Sequence, residues 1–181
     1  MKKLLVALIV CAAARPALAQ APAKAGGAPL AAVASARPFY DQVKDYLVRS
    51  ADQMPEENYG FRPTPEVRTF GQIVGHLAGS QYAFCGAALG KPGEESAEYE
   101  KLPSKAELVA ALKKSFELCD QAYAISDADA AGTVRMFGQD MTRFGALILN
   151  ISHDSEHYGN FVTYLRMKGL VPPSSQPRPR T

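Results

Sequence analysis

Capping signals and apolar periodicity divide most of this chain into long helical segments. Thr69 followed by Gln72 matches the capping box that begins a helix, and Ser104 begins a second match of the same kind. Gly169 is typical of the residue that follows the last turn of a helix. Together with apolar residues that recur every three or four positions, these signals predict four helices, at residues 39–54, 69–89, 104–123 and 142–168.

The segments between these helices contain no pattern typical of a β-strand. No alternating run of apolar and polar residues of useful length appears in the sequence. Residues 127–140 are predicted to form a loop with one short turn. The sequence therefore predicts an all-α protein with four helices.

The two ends of the chain differ in composition from the predicted helical domain, residues 38–171. Residues 1–19 carry lysines, a short apolar run and an Ala-x-Ala site, which is typical of a secretory signal peptide. Because the apolar run is too short to span a membrane, we expect cleavage near Ala19 and export to the periplasm or the cell exterior, with only transient membrane contact. An uncleaved anchor is the alternative. Residues 20–37 are predicted to be a flexible linker and residues 172–181 an extended tail.

The balance of charge argues against a nucleic-acid partner. The chain has 20 lysines and arginines and 18 acidic residues, and three of the basic residues lie within the predicted signal peptide. The mature chain would therefore be close to neutral. No basic stripe interleaved with aromatic residues is present, so the sequence does not predict nucleic-acid binding.

The three histidines of the chain occupy positions from which they can converge. His153 and His157 are four residues apart in the predicted fourth helix, so they lie on one face about a turn apart. His76 lies in the predicted second helix, which can pack alongside. Three imidazoles without an evident fourth protein ligand would leave a metal coordination position open for water or substrate. The spacing alone also fits histidines that only form hydrogen bonds.

Four polar side chains are candidates for the lining of a pocket. Asn150, Asn160 and Tyr164 share the predicted face of the histidine pair, and Ser80 lies near His76 among small residues. Small residues beside a ligand leave space for a substrate, which favours a pocket. The alternative is that these groups are hydrogen-bonded at a wet cavity or an interface.

The predicted fourth helix is apolar around most of its circumference. Such a helix is either central in the domain or uses one face to contact a second subunit, so a homodimer is one hypothesis for this chain. Cys85 lies opposite His76 on the second helix and is rejected as a fourth metal ligand.

Four stretches carry the likeness of the chain to a known family, and two of them contain the histidines. They are residues 59–70, residues 75–78 with His76, residues 150–160 with His153 and His157, and Tyr164-Leu165-Arg166 through Gly169 to Pro172-Pro173. In this order they resemble the DinB superfamily of metalloenzymes, over about residues 38–175. The resemblance implies a four-helix bundle in up-down-down-up order, with a crossover between helices 2 and 3. It also implies a divalent metal ion held by His76, His153 and His157, with zinc or nickel favoured and iron or manganese as alternatives.

The helix order that the resemblance implies bears on the two cysteines of the mature chain. Helices 2 and 3 would be parallel, and the thirteen residues 91–103 can span about 45 Å, which exceeds the roughly 30 Å length of helix 2. Cys85 and Cys119 would then lie at a similar height on neighbouring helices. A disulfide between them is geometrically feasible, and two buried free thiols are the alternative.

Two kinds of chemistry fit a metal ion held by three histidines. Related members of the superfamily are linked to thiol transfer, and a metal-bound thiol is deprotonated, so the resemblance favours thiol-transferase-like chemistry with a low-molecular-weight thiol. Metal-dependent hydrolysis is the alternative, but Asp154 and Glu156 project away from the face of the histidine pair and are poor candidates for its base. A further alternative is that the bundle binds a metal ion without catalysing any reaction. We therefore predict an exported metal-dependent enzyme that acts on a small molecule.

Overall fold

The computed structural model describes residues 31–91 and 97–177, which are mostly helical with one small sheet. The helices are α1 (Ala32–Gln53), α2 (Phe70–Ala88), α3 (Lys105–Ala122), α4 (Asp127–Ala130) and α5 (Arg143–Met167). The strands are β1 (Thr133–Met136) and β2 (Gln139–Thr142), and three-residue to five-residue 3-10 helices occur at Glu56–Asn58, Ala97–Lys101 and Pro173–Ser175. The predicted signal peptide, most of the predicted linker and the end of the predicted tail lie outside the described residues.

Local sequence sets the beginnings and ends of the later long helices. Thr69 accepts a hydrogen bond from the backbone N–H of Gln72, whose side chain in turn accepts one from the Thr69 N–H. The Ser104 side chain caps α3 in the same position by accepting from the N–H of Glu107. Gly169 follows α5 with φ +74°, a left-handed conformation that glycine adopts without strain. The predicted capping box at Thr69 and the glycine after the fourth helix are confirmed, and at Ser104 the predicted cap forms with the Ser104 side chain alone accepting from the backbone of α3.

The first helix begins earlier than the apolar pattern predicts. α1 starts at Ala32, so residues 32–37 are helical although the composition predicted a flexible linker there. The carboxylate of Asp127 accepts hydrogen bonds from the backbone N–H groups of Ala32 (2.7 Å) and Val33 (3.1 Å). These are two of the unpaired N–H groups that every helix start presents. Because the capping residue is distant in sequence, no local signal marks this start.

The long helices enclose the hydrophobic core, with α2 buried along most of its length. α2 packs against α3 and α5, and α1 also packs against α3 and α5. The rings of Phe70 and Phe161 stack at 4.5 Å and are fully buried, which contributes about 1.5 to 3 kcal/mol for each side chain. None of the helices that the structure describes combines the length and the apolar character needed to cross a bilayer.

A two-stranded sheet between α4 and α5 corrects the all-α prediction. α4 is the short turn expected near residue 127, but β1 and β2 then pair antiparallel, from Thr133 opposite Thr142 to Met136 opposite Gln139. The connecting residues Phe137 (φ +51°) and Gly138 (φ +76°) both have positive φ, as in a type I′ turn. Each strand has only four residues and only Met136 is buried, so no alternating pattern was there to detect.

Candidate metal centre

Three histidines from two helices meet at one point. α2 carries His76, and α5 carries His153 and His157 one turn apart. Nε2 of His153 lies 3.1 Å from Nε2 of His76 and 3.2 Å from Nε2 of His157. One ring nitrogen from each residue can be chosen so that all three lie within 4.8 Å of one another.

The spacing of these nitrogens matches the coordination shell of a metal ion. Metal–nitrogen bonds of about 2.0 to 2.1 Å at tetrahedral angles place neighbouring ligand nitrogens roughly 3.3 Å apart. The observed Nε2 separations of 3.1 and 3.2 Å are close to that value. Lone pairs so near each other repel unless a proton or a cation lies between them. The three side chains therefore fit a divalent metal ion without rearrangement of either helix.

A carboxylate approaches the opposite nitrogen of His76. Oε1 of Glu100, from the 3-10 helix Ala97–Lys101, lies 3.3 Å from Nδ1 of His76. Nε of Arg68 lies 3.2 and 3.1 Å from the two oxygens of the same carboxylate. A carboxylate at Nδ1 holds the proton there and leaves the Nε2 lone pair available to a metal ion.

A glycine allows this carboxylate to reach the histidine. A Cβ atom on Gly75 would clash with the backbone oxygen of Tyr99 and would lie 2.7 Å from Cα of Glu100. Only glycine lets the backbone of the 3-10 helix approach α2 this closely. The sequence analysis missed Glu100 because its role depends on this tertiary approach.

His157 is held in the neutral form that metal binding needs. Burial is the main cause that lowers the pKa of His157 to about 3, and the nearby charges of His153, His76 and Arg68 contribute to this shift in the same direction. Nδ1 of His157 lies 3.3 Å from the amide Nδ2 of Asn160. If the amide of Asn160 is rotated by 180°, its oxygen accepts a hydrogen bond from Nδ1–H of His157. In that tautomer of His157 the lone pair of Nε2 is free to bind a metal ion.

Behind His153 lies a buried polar network that joins α2 to α5. Asp154 is fully buried and accepts hydrogen bonds from Nε2 of Gln81 (2.7 Å) and Nδ2 of Asn150 (3.3 Å). Burial raises the pKa of the Asp154 carboxyl, although its hydrogen-bond partners act in the opposite direction. Its Oδ1 lies 3.8 Å from Nδ1 of His153, which has no hydrogen-bond partner among the described residues. Asp154 therefore faces the protein interior and not the Nε2 side of the site.

The four predicted pocket residues separate into two groups. Asn160 and Tyr164 line a cavity of about 480 Å³ beside His157, together with residues of the loop before α2. Asn150 belongs to the buried network, and the buried hydroxyl of Ser80 has no hydrogen-bond partner among the described residues. The sequence analysis did not identify the loop residues of the cavity, because an irregular connection carries no periodic signal.

The two cysteines lie away from the ring nitrogens of the site. A disulfide joins Cys85 of α2 to Cys119 of α3, with a Cα–Cα distance of 5.0 Å, and both residues are fully buried. Because the sulfur of Cys85 is bonded in this way, it is not available as a metal ligand. Asn150 and Gln81 of the buried network lie next to these sulfurs.

Comparison with known proteins places the chain in a recognised structural group. The family model of the DinB superfamily matches residues 40–160. A DinB-like protein from Bacillus cereus is similar in structure, with a TM-score of 0.63 at 19% identity over 76% of this chain and 95% of that one. A DinB-like protein from Bacillus subtilis has a TM-score of 0.62 at 18% identity over 81% and 99% of the two chains.

A third similar structure is a mycothiol-dependent maleylpyruvate isomerase. Its TM-score is 0.62 at 14% identity, over 71% of this chain. This chain spans only 60% of the length of the isomerase. At these identities the likeness to solved structures concerns the fold. None of the curated proteins matches this chain significantly in sequence.

Proposed function

The chain belongs to the DinB superfamily, and from this premise we propose that it is a metal-dependent enzyme with thiol-transferase-like chemistry on a small molecule. Its metal ligands would be His76, His153 and His157, and a further coordination position would stay open. The observation that carries the proposal is the convergence of three Nε2 atoms at distances of 3.1 and 3.2 Å between neighbours. Zinc or nickel is the proposed metal, with iron and manganese as alternatives that also accept imidazole ligands.

The protein supplies a neutral ligand set and a cavity at this site. When bound, a divalent ion held by three neutral imidazoles would provide Lewis acidity, which lowers the pKa of a thiol at the open position. Glu100 keeps the proton of His76 on Nδ1, and the cavity beside His157 would hold the electrophilic substrate. A similar fold occurs in an isomerase that is mycothiol-dependent, which supports a thiol as co-substrate here.

The position of the carboxylates favours thiol chemistry over hydrolysis. A metal-dependent hydrolase usually places a carboxylate base near the metal-bound water. The two described carboxylates that approach the histidines, Glu100 and Asp154, both lie on the Nδ1 side of a ring. They are therefore turned away from the position where a water molecule would react.

A pair of assays with zinc-loaded or nickel-loaded protein tests this proposal. We expect consumption of a small electrophile only when a low-molecular-weight thiol is added, because the thiol is the nucleophile. Metal-stripped protein serves as the control and should be inactive. Turnover without any thiol would support the hydrolase instead, and metal-loaded protein that turns over no electrophile under either condition would support a non-catalytic metal-binding protein.

Replacing Glu100 with glutamine should weaken metal binding without removing it. The amide cannot hold the proton of His76 at Nδ1 as a carboxylate does, and loss of such a partner typically reduces metal affinity by roughly 10 to 100-fold. Competition with a chelator of known zinc affinity measures the change. Glu98→Gln in the same 3-10 helix is the matched control, since its exposed carboxylate pairs with Lys101. Equal affinity of Glu100→Gln and the control would contradict this role.

We also propose the up-down-down-up order for the four long helices. Three contacts support it. The starts of α2 and α3 lie together, because a Cβ on Gly71 would meet Leu108. The end of α1 lies at the start of α3, where Lys105 donates to the backbone oxygen of Met54, and the end of α5 lies at the start of α2, where the Tyr164 hydroxyl donates to the backbone oxygen of Arg68. Spin labels at positions 66 and 106 test the order. An antiparallel α2 and α3 would separate the two labels by roughly the 30 Å length of a helix.

Export is a further part of the proposal. The disulfide between Cys85 and Cys119 supports it, since disulfides persist mainly in oxidising compartments. The mass of the protein recovered from the periplasmic or extracellular fraction should correspond to a chain that begins after Ala19. Full-length chain found only in the cytosol would contradict export.

Self-association is proposed from two large apolar residues that are exposed. Phe137 of the hairpin turn is 69% exposed and Ile148 of α5 is 45% exposed, and large apolar side chains in contact with water favour a homodimer. Light scattering that gives the mass of a monomer at high concentration would contradict it.

A further inference from the structure

The cavity beside the histidines contains one cation whose hydrogen-bonding groups are not all used. Arg68 is the only lysine or arginine among the residues that line it. Its Nε donates to Glu100, and its backbone oxygen accepts a hydrogen bond of 2.7 Å from the hydroxyl of Tyr164. Neither terminal amino group of Arg68 donates a hydrogen bond to any residue that the structure describes.

The guanidinium of Arg68 lies close to the metal centre, because one carboxylate oxygen of Glu100 contacts both Arg68 and His76. Oε1 of Glu100 lies 3.2 Å from Nε of Arg68 and 3.3 Å from Nδ1 of His76, so these two nitrogens are at most about 6.5 Å apart. Because Arg68 is held at both its backbone and its Nε, its two terminal amino groups form a fixed fork. A fork of this kind binds a planar carboxylate through two parallel hydrogen bonds.

The remaining lining of the cavity is suited to a small organic acid. Pro63, Val67 and Ile73 provide apolar surface in the same cavity as Arg68. Glu66 is the only acidic residue of the lining, and it is exposed, so solvent screens its charge. A single arginine with no second cation matches one carboxylate better than a doubly charged phosphate.

We propose that Arg68 forms an anion subsite and that the substrate of the metal centre is a small carboxylic acid with an apolar body. The inference rests on the proposed function, because it places the reacting end of that substrate at the histidines. The carboxylate would bind the Arg68 fork while the rest of the molecule extends along the cavity towards the thiol at the open coordination position. Arg68 would thus determine specificity and take no part in bond making.

Binding of matched probes to zinc-loaded protein tests the subsite. The probes are 3-mercaptopropionate, its neutral analogue 3-mercaptopropan-1-ol, and propionate, which has the carboxylate without the sulfur. We expect the wild type to bind 3-mercaptopropionate about tenfold more tightly than the neutral thiol in calorimetric titrations, as a charge-assisted contact would give. Arg68→Gln should lose this preference and keep its affinity for the neutral thiol. Arg68→Lys, which has the charge but not the fork, should retain only part of it.

The controls separate a role in binding from a role in structure. Arg62→Gln removes a charge from the same loop at a residue that is not part of the cavity lining and donates a hydrogen bond to the backbone oxygen of Pro65, and it should behave as the wild type. Zinc content should be equal in all variants, because Glu100 remains in contact with His76. A preference that survives in Arg68→Gln, or equal binding of both thiols by the wild type, would overturn the subsite and leave the proposed thiol chemistry intact.

Failure of the proposed function gives a different result. If neither thiol binds but propionate binds the wild type and not Arg68→Gln, the thiol chemistry is wrong and the subsite stands. If none of the three probes binds the zinc-loaded wild type, both proposals are wrong.

Discussion

Replacing His153 with alanine is expected to remove most of the stabilisation that zinc gives the protein. A ligand that binds only the folded state at a thousand times its dissociation constant stabilises that state by about 4 kcal/mol. Nε2 of His153 lies within 3.2 Å of both other Nε2 atoms, so its loss leaves a metal ion with only two of the three histidine ligands. An affinity reduced more than about 100-fold would cut the stabilisation at the same zinc concentration to about 1.4 kcal/mol or less.

Urea denaturation with and without zinc measures this difference. Ser155→Ala is the matched control, because Ser155 lies between the two histidines on the exposed side of α5 and its hydroxyl donates to the backbone oxygen of Ile151 in the same helix. It should keep the full effect of zinc. Equal stabilisation of His153→Ala and wild type by zinc would show that the ion binds elsewhere, and the metal centre would have to be abandoned.

Removing the disulfide is expected to lower the free energy of unfolding by about 3 to 4 kcal/mol. A crosslink over this separation restricts the unfolded chain, and this is the free energy that corresponds to the entropy the unfolded chain loses. Cys85 and Cys119 are 34 residues apart and both are fully buried. The double variant Cys85→Ala with Cys119→Ala avoids a buried polar group in place of each sulfur. The free energy of unfolding in urea, compared with that of the oxidised wild type, gives the effect.

Two controls separate the loss of the crosslink from the loss of the sulfur atoms and from damage to the metal centre. Wild-type protein unfolded in the presence of a reductant should have a stability close to that of the double variant, since both lack the crosslink in the unfolded state. Zinc affinity should not change, because the histidine nitrogens contact neither sulfur. A double variant within about 1 kcal/mol of the oxidised wild type would mean that the crosslink contributes little beyond the packing of α2 on α3.

The parts of the fold that the sequence predicted are those with local causes. The capping box at Thr69, the cap at Ser104 and the glycine after α5 act within a few residues, so their patterns can be recognised without a structure. The spacing of His153 and His157 is equally local, because one helical turn fixes their common face. Placing His76 beside them required the resemblance to a family, since no local pattern joins α2 to α5.

The parts that the sequence did not predict depend on distant contacts. α1 begins where Asp127 reaches it, and Glu100 meets His76 because Gly75 lets two backbones touch. Arg68 lies in a loop without periodicity, so only the folded structure reveals it beside a cavity. The hairpin depends on a phenylalanine at a turn position where asparagine or aspartate is the usual signal.

The disulfide between α2 and α3 affects how stable the protein is when no metal ion is bound. In small zinc domains the ion is needed for folding, and removing it unfolds the chain. Here α2, which carries His76, is bonded to α3 through the disulfide of Cys85, and it packs against α5 in the hydrophobic core. We therefore expect a durable empty form that can release one ion and accept another, so that the identity of the metal follows its supply in the surroundings.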